Sequence, residues 1–158
     1  MSGGTSKYDN RYDINEPKVK QIIENIKARG HCVGFHPSYN AYNNPQQFKY
    51  EKEALESVYN APIKYGREHY LRFEVPTTWQ IWEDNQLEWC SNLAYAKKDG
   101  FRAGCCYPYP LFNILTQEKL NLIERPLIMM EVTFMEQIKE YYKIEEKIDY
   151  YMLSLIHI

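Results

Sequence analysis

The order of apolar and polar residues predicts helices and strands that alternate along the chain. Apolar residues at helical spacing predict a first helix over 16–29, with Asn15 as its cap and Gly30 just beyond its end. Similar patterns predict three further helices, over 46–59, 76–86 and 134–153. Short apolar runs predict strands over 32–35, 63–66, 87–90 and 127–132.

This alternation is typical of an α/β fold with a parallel sheet. Four strands are too few for a closed (β/α) barrel, which has about eight, and no strand precedes the first helix. Both facts suggest a fragment of a larger fold, with residues 1–153 forming a single domain. The closing segment 154–158 resembles translated sequencing-adapter sequence, and we expect it to be foreign to the protein.

Composition narrows the classes of partner. A net charge of −2 and a pI near 6.1 give no electrostatic case for nucleic acid as a partner. The sequence has no long apolar run, so no membrane-spanning helix is expected. It also does not open with a basic region followed by an apolar core, so no signal peptide is predicted. The four cysteines lack metal-binding or redox spacing, and reduced thiols favour a cytoplasmic protein. The fifteen tyrosines suit either a sugar-binding cleft or half-wet surfaces.

The first candidate for chemistry is His36, which ends the predicted strand 32–35 and is followed by a stiffening proline. Strand ends are where α/β folds present metal ligands and catalytic groups. The alternative is a loop histidine that is hydrogen-bonded to backbone. We expect His31, which precedes the strand, to be structural.

Two further segments carry candidate residues. The segment Arg67–Tyr70 ends the next predicted strand, so it is expected at the same mouth of the sheet as His36. The alternative for Arg67 is a surface ion pair. Arg102 lies between two glycines in a long predicted loop over 91–113, where it either faces an acidic sugar or serves structure alone.

The segment from Gly30 to Asn40 resembles the metal-binding motif of polysaccharide deacetylases, the NodB homology group of carbohydrate esterases. In that family a Gly-His pair opens a strand, a ligand histidine ends it, and a second ligand histidine follows four residues later. His31 and His36 match this pattern, and Asn40 stands where the second ligand is expected.

Two later segments extend the resemblance. Arg67 and Tyr70 match the family's Arg-x-x-Tyr motif, and Gly100–Gly104 is similar to a Gly-Phe-Arg-x-Gly loop of a bacterial deacetylase-like subgroup. The resemblance covers most of the chain, from about residue 3 to 132. It implies an α/β fold that is a partial (β/α) barrel of the polysaccharide deacetylase type, truncated at both ends.

The resemblance also implies roles for particular residues. His36 and Asn40 would hold a divalent metal, zinc or a similar ion. Arg67 and Tyr70 would belong to the catalytic group, with Arg67 orienting a carboxylate base. The remaining candidates, His69 and Arg102, would contact a carbohydrate substrate.

Two family motifs do not match in the expected place. No Asp-x-Asp follows an apolar strand near the start, and Asp9 and Asp13 lie in a polar entry segment. The final Leu-x-His motif is matched only in letters, at Leu155–His157, after a charged helix.

We therefore expect a metal-assisted hydrolase that removes N- or O-acetyl groups from a carbohydrate, with this chain inactive alone. The alternative is a non-catalytic carbohydrate-binding or scaffold relative of the same fold.

Overall fold

The computed structural model describes residues 4–156, and side chains as far as residue 153. Within this range the chain forms five α-helices and four strands. The helices are α1 (Pro17–Ala28), α2 (Pro45–Tyr59), α3 (Thr77–Asp84), α4 (Glu131–Gln137) and α5 (Tyr141–Ile156). The strands are β1 (Tyr65–Gly66), β2 (Trp89–Cys90), β3 (Tyr109–Asn113) and β4 (Glu118–Glu124).

The four strands form one mixed sheet in the order β1-β2-β4-β3. The β1-β2 and β2-β4 pairs are parallel, whereas β3 and β4 are antiparallel. A single parallel bridge between Phe35 and Gly66 continues the sheet beyond β1. The predicted α/β class is confirmed at this level, and the antiparallel strand makes the sheet mixed.

Helix α1 has the expected extent but not the expected cap. Its N-cap is Glu16, which makes no side-chain capping bond, so the prediction of Asn15 was wrong. The backbone N–H of Asn15 instead donates to the Asp13 carboxylate at 2.9 Å, because the entry segment turns just before the helix. Gly30 follows the helix with φ +74°, as expected of a glycine that ends a helix.

Helices α2 and α3 cover one face of the sheet and form the core with it. The Phe48 ring of α2 lies edge-on to Phe35 at 5.0 Å and 5.5 Å from the Trp82 ring of α3. The residues that complete this core are Ile63, which precedes β1, and the strand residues Cys90, Leu111, Leu120 and Leu122. Each aromatic residue in this group is buried, so the core orders the strand ends that carry the site.

The other face of the sheet carries an aromatic stack. Tyr65 and Trp89 are partners across β1 and β2, and their rings stack 4.6 Å apart. Their neighbours Gly66 and Cys90 take the alternate positions, with Cys90 in the core. The guanidinium of Arg125 lies 4.2 Å from the centre of the Trp89 ring, in a cation–π contact.

The prediction of a strand over 127–132 was wrong. That apolar run is half-buried and makes single bonds to a neighbouring loop, from Leu127 N–H to the Leu93 carbonyl and from Gly100 N–H to the Ile128 carbonyl. The pairing partners of β2 come instead from β4, where Leu120 and Leu122 alternate with exposed residues. In the hairpin β3-β4, strand β3 lies at the end of the loop predicted over 91–113, and β4 lies in a stretch for which no element was predicted.

Several other elements differ from their predicted extents, and the strands predicted over 63–66 and 87–90 are reduced to Tyr65–Gly66 and Trp89–Cys90. The strand over 32–35 consists of the single bridge at Phe35. The helix over 134–153 is two helices, since the chain becomes extended at Ile138. His157, the end of the Leu-x-His match, lies outside the described residues.

Gly66 allows the close approach that joins the two candidate segments. A Cβ atom at Gly66 would lie 1.8 Å from the Phe35 carbonyl oxygen, far inside contact distance. We expect Gly66→Ala to lower the free energy of unfolding by about 1–3 kcal/mol or more, because the backbone must shift to admit the methyl group. Urea unfolding measures this change.

Gly34→Ala is the matched control for this prediction. A Cβ atom there would meet Tyr65 at 3.4 Å, which is ordinary contact. Equal stability of the two variants would contradict the prediction.

Candidate functional site

The candidate site lies at the carboxyl ends of two adjacent parallel segments. Phe35 N–H donates to the Tyr65 carbonyl at 2.8 Å, and Arg67 N–H donates to the Phe35 carbonyl at 2.9 Å. Because these segments run in the same direction, His36 and Arg67 leave the sheet at the same edge. The structure thus brings together the two segments that were singled out from the sequence.

A chain of hydrogen-bonding contacts runs through His36 and His69. The Nδ1 atom of His36 is 2.6 Å from the Arg67 carbonyl oxygen, and its Nε2 atom is 3.1 Å from Nδ1 of His69. The Nε2 atom of His69 is 2.8 Å from the Tyr8 carbonyl oxygen. The two rings are nearly perpendicular, at 84°. We call these two residues the histidine pair.

The surroundings of His36 favour the neutral ring. Burial lowers the pKa of His36 below its usual value, and the bond to the Arg67 carbonyl opposes this in part. The nearby His69 and Arg67 lower the pKa further by charge repulsion. A neutral imidazole is the form that binds metals.

The side chain of Arg67 reaches towards the end of β2. Its Nε atom donates to the Ser91 carbonyl at 3.0 Å, and Nη2 donates to the Ser91 hydroxyl at 3.2 Å. A cleft of about 290 Å³ lies between these groups, the aromatic stack and His36. The guanidinium therefore forms one wall of a concave site beside the histidine pair.

Glu68 points away from this cleft into the core. Its carboxyl group accepts a bond from Trp82 Nε1 at 2.7 Å, and its backbone N–H donates to the Asn92 side-chain oxygen at 2.8 Å. Burial raises the pKa of Glu68 to about 8, against which the Trp82 bond acts. Arg67 and His69 are thus held at the surface because the residue between them is anchored below.

A buried carboxyl group also anchors the loop after β2. One oxygen of Glu124 accepts the backbone N–H groups of Asn92 and Leu93, both at 2.8 Å. The other oxygen accepts the Cys90 thiol at 3.1 Å. This arrangement sets the position of Ser91, and through it that of the Arg67 guanidinium.

Tyr70 lies in a strained turn beside the histidine pair. Both Tyr70 and Leu71 have positive φ, +57° and +50°, a conformation that costs non-glycine residues on the order of 1–3 kcal/mol each. The Tyr70 ring is exposed and lies 5.3 Å from Tyr8 and 5.7 Å from Tyr39. Such strain is common at functional sites, and here it presents an aromatic cluster next to the histidines.

The structure places Asn40 with Arg72 instead of with His36. Nη1 of Arg72 donates to the Asn40 side-chain oxygen at 2.9 Å. The guanidinium lies 4.2 Å and 4.0 Å from the ring centres of Tyr39 and Tyr42. The Arg72 guanidinium thus binds the side-chain oxygen of Asn40, which was expected to bind a metal.

Arg102 contacts a different part of the loop region. Its Nη1 atom donates to the Ala94 carbonyl at 2.7 Å, and its guanidinium carbon lies 5.8 Å from the Phe73 ring centre. Its role in substrate binding stays a prediction.

The donor atoms of the histidine pair suit a metal ion better than Asn40 does. His36 Nε2 and His69 Nδ1 face each other, and each ring uses its other nitrogen on a backbone carbonyl. That outer bond is usual for histidines that bind metals. Within residues 4–156 no group of three or more His, Cys, Asp or Glu side chains is arranged to hold a metal ion.

Some residues at this edge were not predicted. Ser91 and Asn92 follow β2 directly, so the strand-end argument that found His36 and Arg67 would also have found them. Tyr8 contributes a backbone carbonyl from the entry segment, and Asp9 accepts the Tyr39 N–H at 2.9 Å. A backbone acceptor of this kind leaves no signal in the side-chain pattern.

Comparison of the chain with protein-family models, with curated proteins and with solved structures finds no match. Among the described residues, no helix is long and apolar enough to cross a membrane.

Proposed function

We propose that this chain provides part of the active site of a metal-assisted carbohydrate deacetylase, a hydrolase that removes N- or O-acetyl groups. We propose further that its sheet and helices are part of a deacetylase-type (β/α) barrel. The observation that carries this proposal is the meeting of His36 with Arg67 and His69 at one edge of parallel strands. The proposal also rests on the resemblance of these segments to the family motifs.

In this function a bound divalent metal would polarise the acyl carbonyl and activate water. His36 would hold the ion through Nε2, since its Nδ1 atom is occupied by the Arg67 carbonyl. Arg67 would orient the carboxylate base from a guanidinium that its bonds to Ser91 hold in place. Tyr70 would border the acyl site, and the cleft beside His36 and Arg67 would admit a sugar ring.

The proposed cellular setting is the cytoplasm. All four cysteines are free thiols, one of them buried, which suits a reducing compartment.

Acetate release tests the proposed function. The full-length natural gene product is incubated with Zn²⁺ or Co²⁺ and a panel of acetylated oligosaccharides, and acetate is followed by NMR. We expect metal-dependent release, with kcat/KM lowered at least about 100-fold by His36→Ala, because the metal supplies the main electrophile. His31→Ala is the matched control, since that histidine is exposed and precedes the strand. Unchanged release by His36→Ala would exclude the proposed role.

A non-catalytic carbohydrate-binding relative is the second candidate. The exposed rings of Tyr8 and Tyr70, clustered with Tyr39, favour it because aromatic faces pack against sugars. The contact of Asn40 with Arg72 also favours a non-catalytic relative, because it takes up the oxygen that was expected to bind a metal. Equal affinity for acetylated and deacetylated oligosaccharides, without acetate release, would select this function over the hydrolase.

A further inference from the structure

We propose that His36 and His69 are the two protein ligands of a divalent metal, bound through Nε2 of His36 and Nδ1 of His69. This inference rests on the proposed function, because that function requires a divalent metal. It replaces Asn40, the second ligand that the resemblance implies, with a residue whose ring directly faces His36.

Counting the protons of the histidine pair gives the first argument. A carbonyl oxygen accepts and never donates, so His36 Nδ1 must carry the proton in its contact with Arg67. For the same reason His69 Nε2 must carry the proton in its contact with Tyr8. In two neutral rings the remaining atoms, His36 Nε2 and His69 Nδ1, are then both lone pairs.

These two lone-pair atoms are 3.1 Å apart. Two acceptors at that distance repel each other unless a positive species lies between them. Two imidazole nitrogens on one zinc ion, each about 2.0–2.1 Å from it, are separated by roughly 2.8–3.4 Å at coordination angles of about 90–109°. The observed spacing therefore suits two adjacent ligands of one ion.

A shared proton is the competing explanation for this spacing. It would require one of the two rings to be an imidazolium. The two explanations differ in the number of protons on the pair, since a shared proton leaves three on the four ring nitrogens and a bound ion leaves two. A divalent ion satisfies both lone pairs without protonating either ring.

The outer contacts of the pair add an independent argument. Each ring has its second nitrogen fixed by a backbone carbonyl, which selects the tautomer and orients the free nitrogen. Asn40 offers no such arrangement, because its oxygen accepts from the Arg72 guanidinium. An ion at Asn40 would lie against that guanidinium and repel it.

The site would be open. No third His, Cys, Asp or Glu among the described residues joins the pair in a metal-binding group, so water and substrate oxygens are left to fill further positions. An ion with open positions is the arrangement that catalytic metal sites use.

Metal titration of the purified chain tests the inference. Zn²⁺ affinity is measured by calorimetry, and Co²⁺ is followed by its visible absorption, for the wild-type chain and for His36→Gln, His69→Gln, Asn40→Ala and His31→Gln. We expect both His36→Gln and His69→Gln to weaken binding at least tenfold. Asn40→Ala and His31→Gln should bind as the wild-type chain does.

A second measurement does not depend on how the variants fold. In ¹⁵N NMR of the wild-type histidine rings, Zn²⁺ should shift His36 Nε2 and His69 Nδ1 most, while the other two ring nitrogens stay protonated. Absence of metal binding by the wild-type chain would overturn the inference. So would one imidazolium in the pair that Zn²⁺ does not displace, or unchanged affinity in folded His69→Gln.

The results separate this inference from the proposed function. Metal bound by both histidines without acetate release would remove the deacetylase and keep the metal site. Metal-dependent acetate release that His69→Gln leaves unchanged would remove His69 as a ligand and keep the deacetylase.

Discussion

Glu124→Ala is expected to lower the free energy of unfolding by about 3–5 kcal/mol. The Glu124 side chain is fully buried and accepts the backbone N–H groups of Asn92 and Leu93, both at 2.8 Å. Alanine leaves these two N–H groups without an acceptor, at about 1–3 kcal/mol each, and opens a cavity. Urea unfolding, followed by tryptophan fluorescence, measures the loss.

Glu124→Gln is the matched control for that variant. Glutamine keeps one oxygen where the two N–H groups need an acceptor. Burial raises the pKa of Glu124, so a neutral side chain also suits this environment. We expect glutamine to cost less than about 1.5 kcal/mol, and equal losses in the two variants would show that the N–H bonds do not anchor this loop.

The free energy of unfolding is expected to fall as pH rises from about 5 to 8, because of Glu68. Burial raises the pKa of Glu68 in the folded protein from 4.5 to about 8. Between these values the folded state binds a proton that the unfolded state has released, so stability is lost as pH rises. The whole shift corresponds to at most about 5 kcal/mol, at about 1.4 kcal/mol per pKa unit.

We test this pH dependence by urea unfolding of the wild-type chain and of Glu68→Gln at four pH values between 5 and 8. Glutamine cannot ionise, so we expect its stability to change far less with pH. Glu53→Gln serves as the control, because Glu53 is exposed and pairs only loosely with Lys49 at 3.7 Å. Parallel pH profiles for the wild-type chain and Glu68→Gln would show that folding does not raise the pKa of Glu68.

Helices with strong local signals were predicted well from the sequence. Helix α2 begins at Pro45, where the Asn44 side chain accepts the Gln47 N–H at 3.1 Å, and ends before Asn60 in the left-handed conformation. These signals act over three or four residues, so they can be read without knowledge of the rest of the fold. The split of the last predicted helix at Ile138 carried no comparable signal.

Strands were harder to predict, because pairing involves residues far apart in the chain. The run that begins at Leu127 is apolar enough for a buried strand, yet the partner of β2 is β4. The alternation of Leu120 and Leu122 with polar residues is a signal for a strand at β4. The pairing of β4 with β2 depends on the tertiary core, in which Leu120 and Leu122 pack with Trp82 and Phe48.

The candidate site, like the fold, could be predicted from the sequence only in part. The sequence by itself determined that His36 and the segment Arg67–Tyr70 follow short strands, which was enough to predict a common edge. Only the tertiary structure decided which atoms meet there. In the tertiary structure His36 contacts His69. Arg67 donates to Ser91, and Arg72 donates to Asn40. Side-chain partners depend on distances across the fold, and backbone acceptors such as the Tyr8 carbonyl have no counterpart in the pattern of residue types.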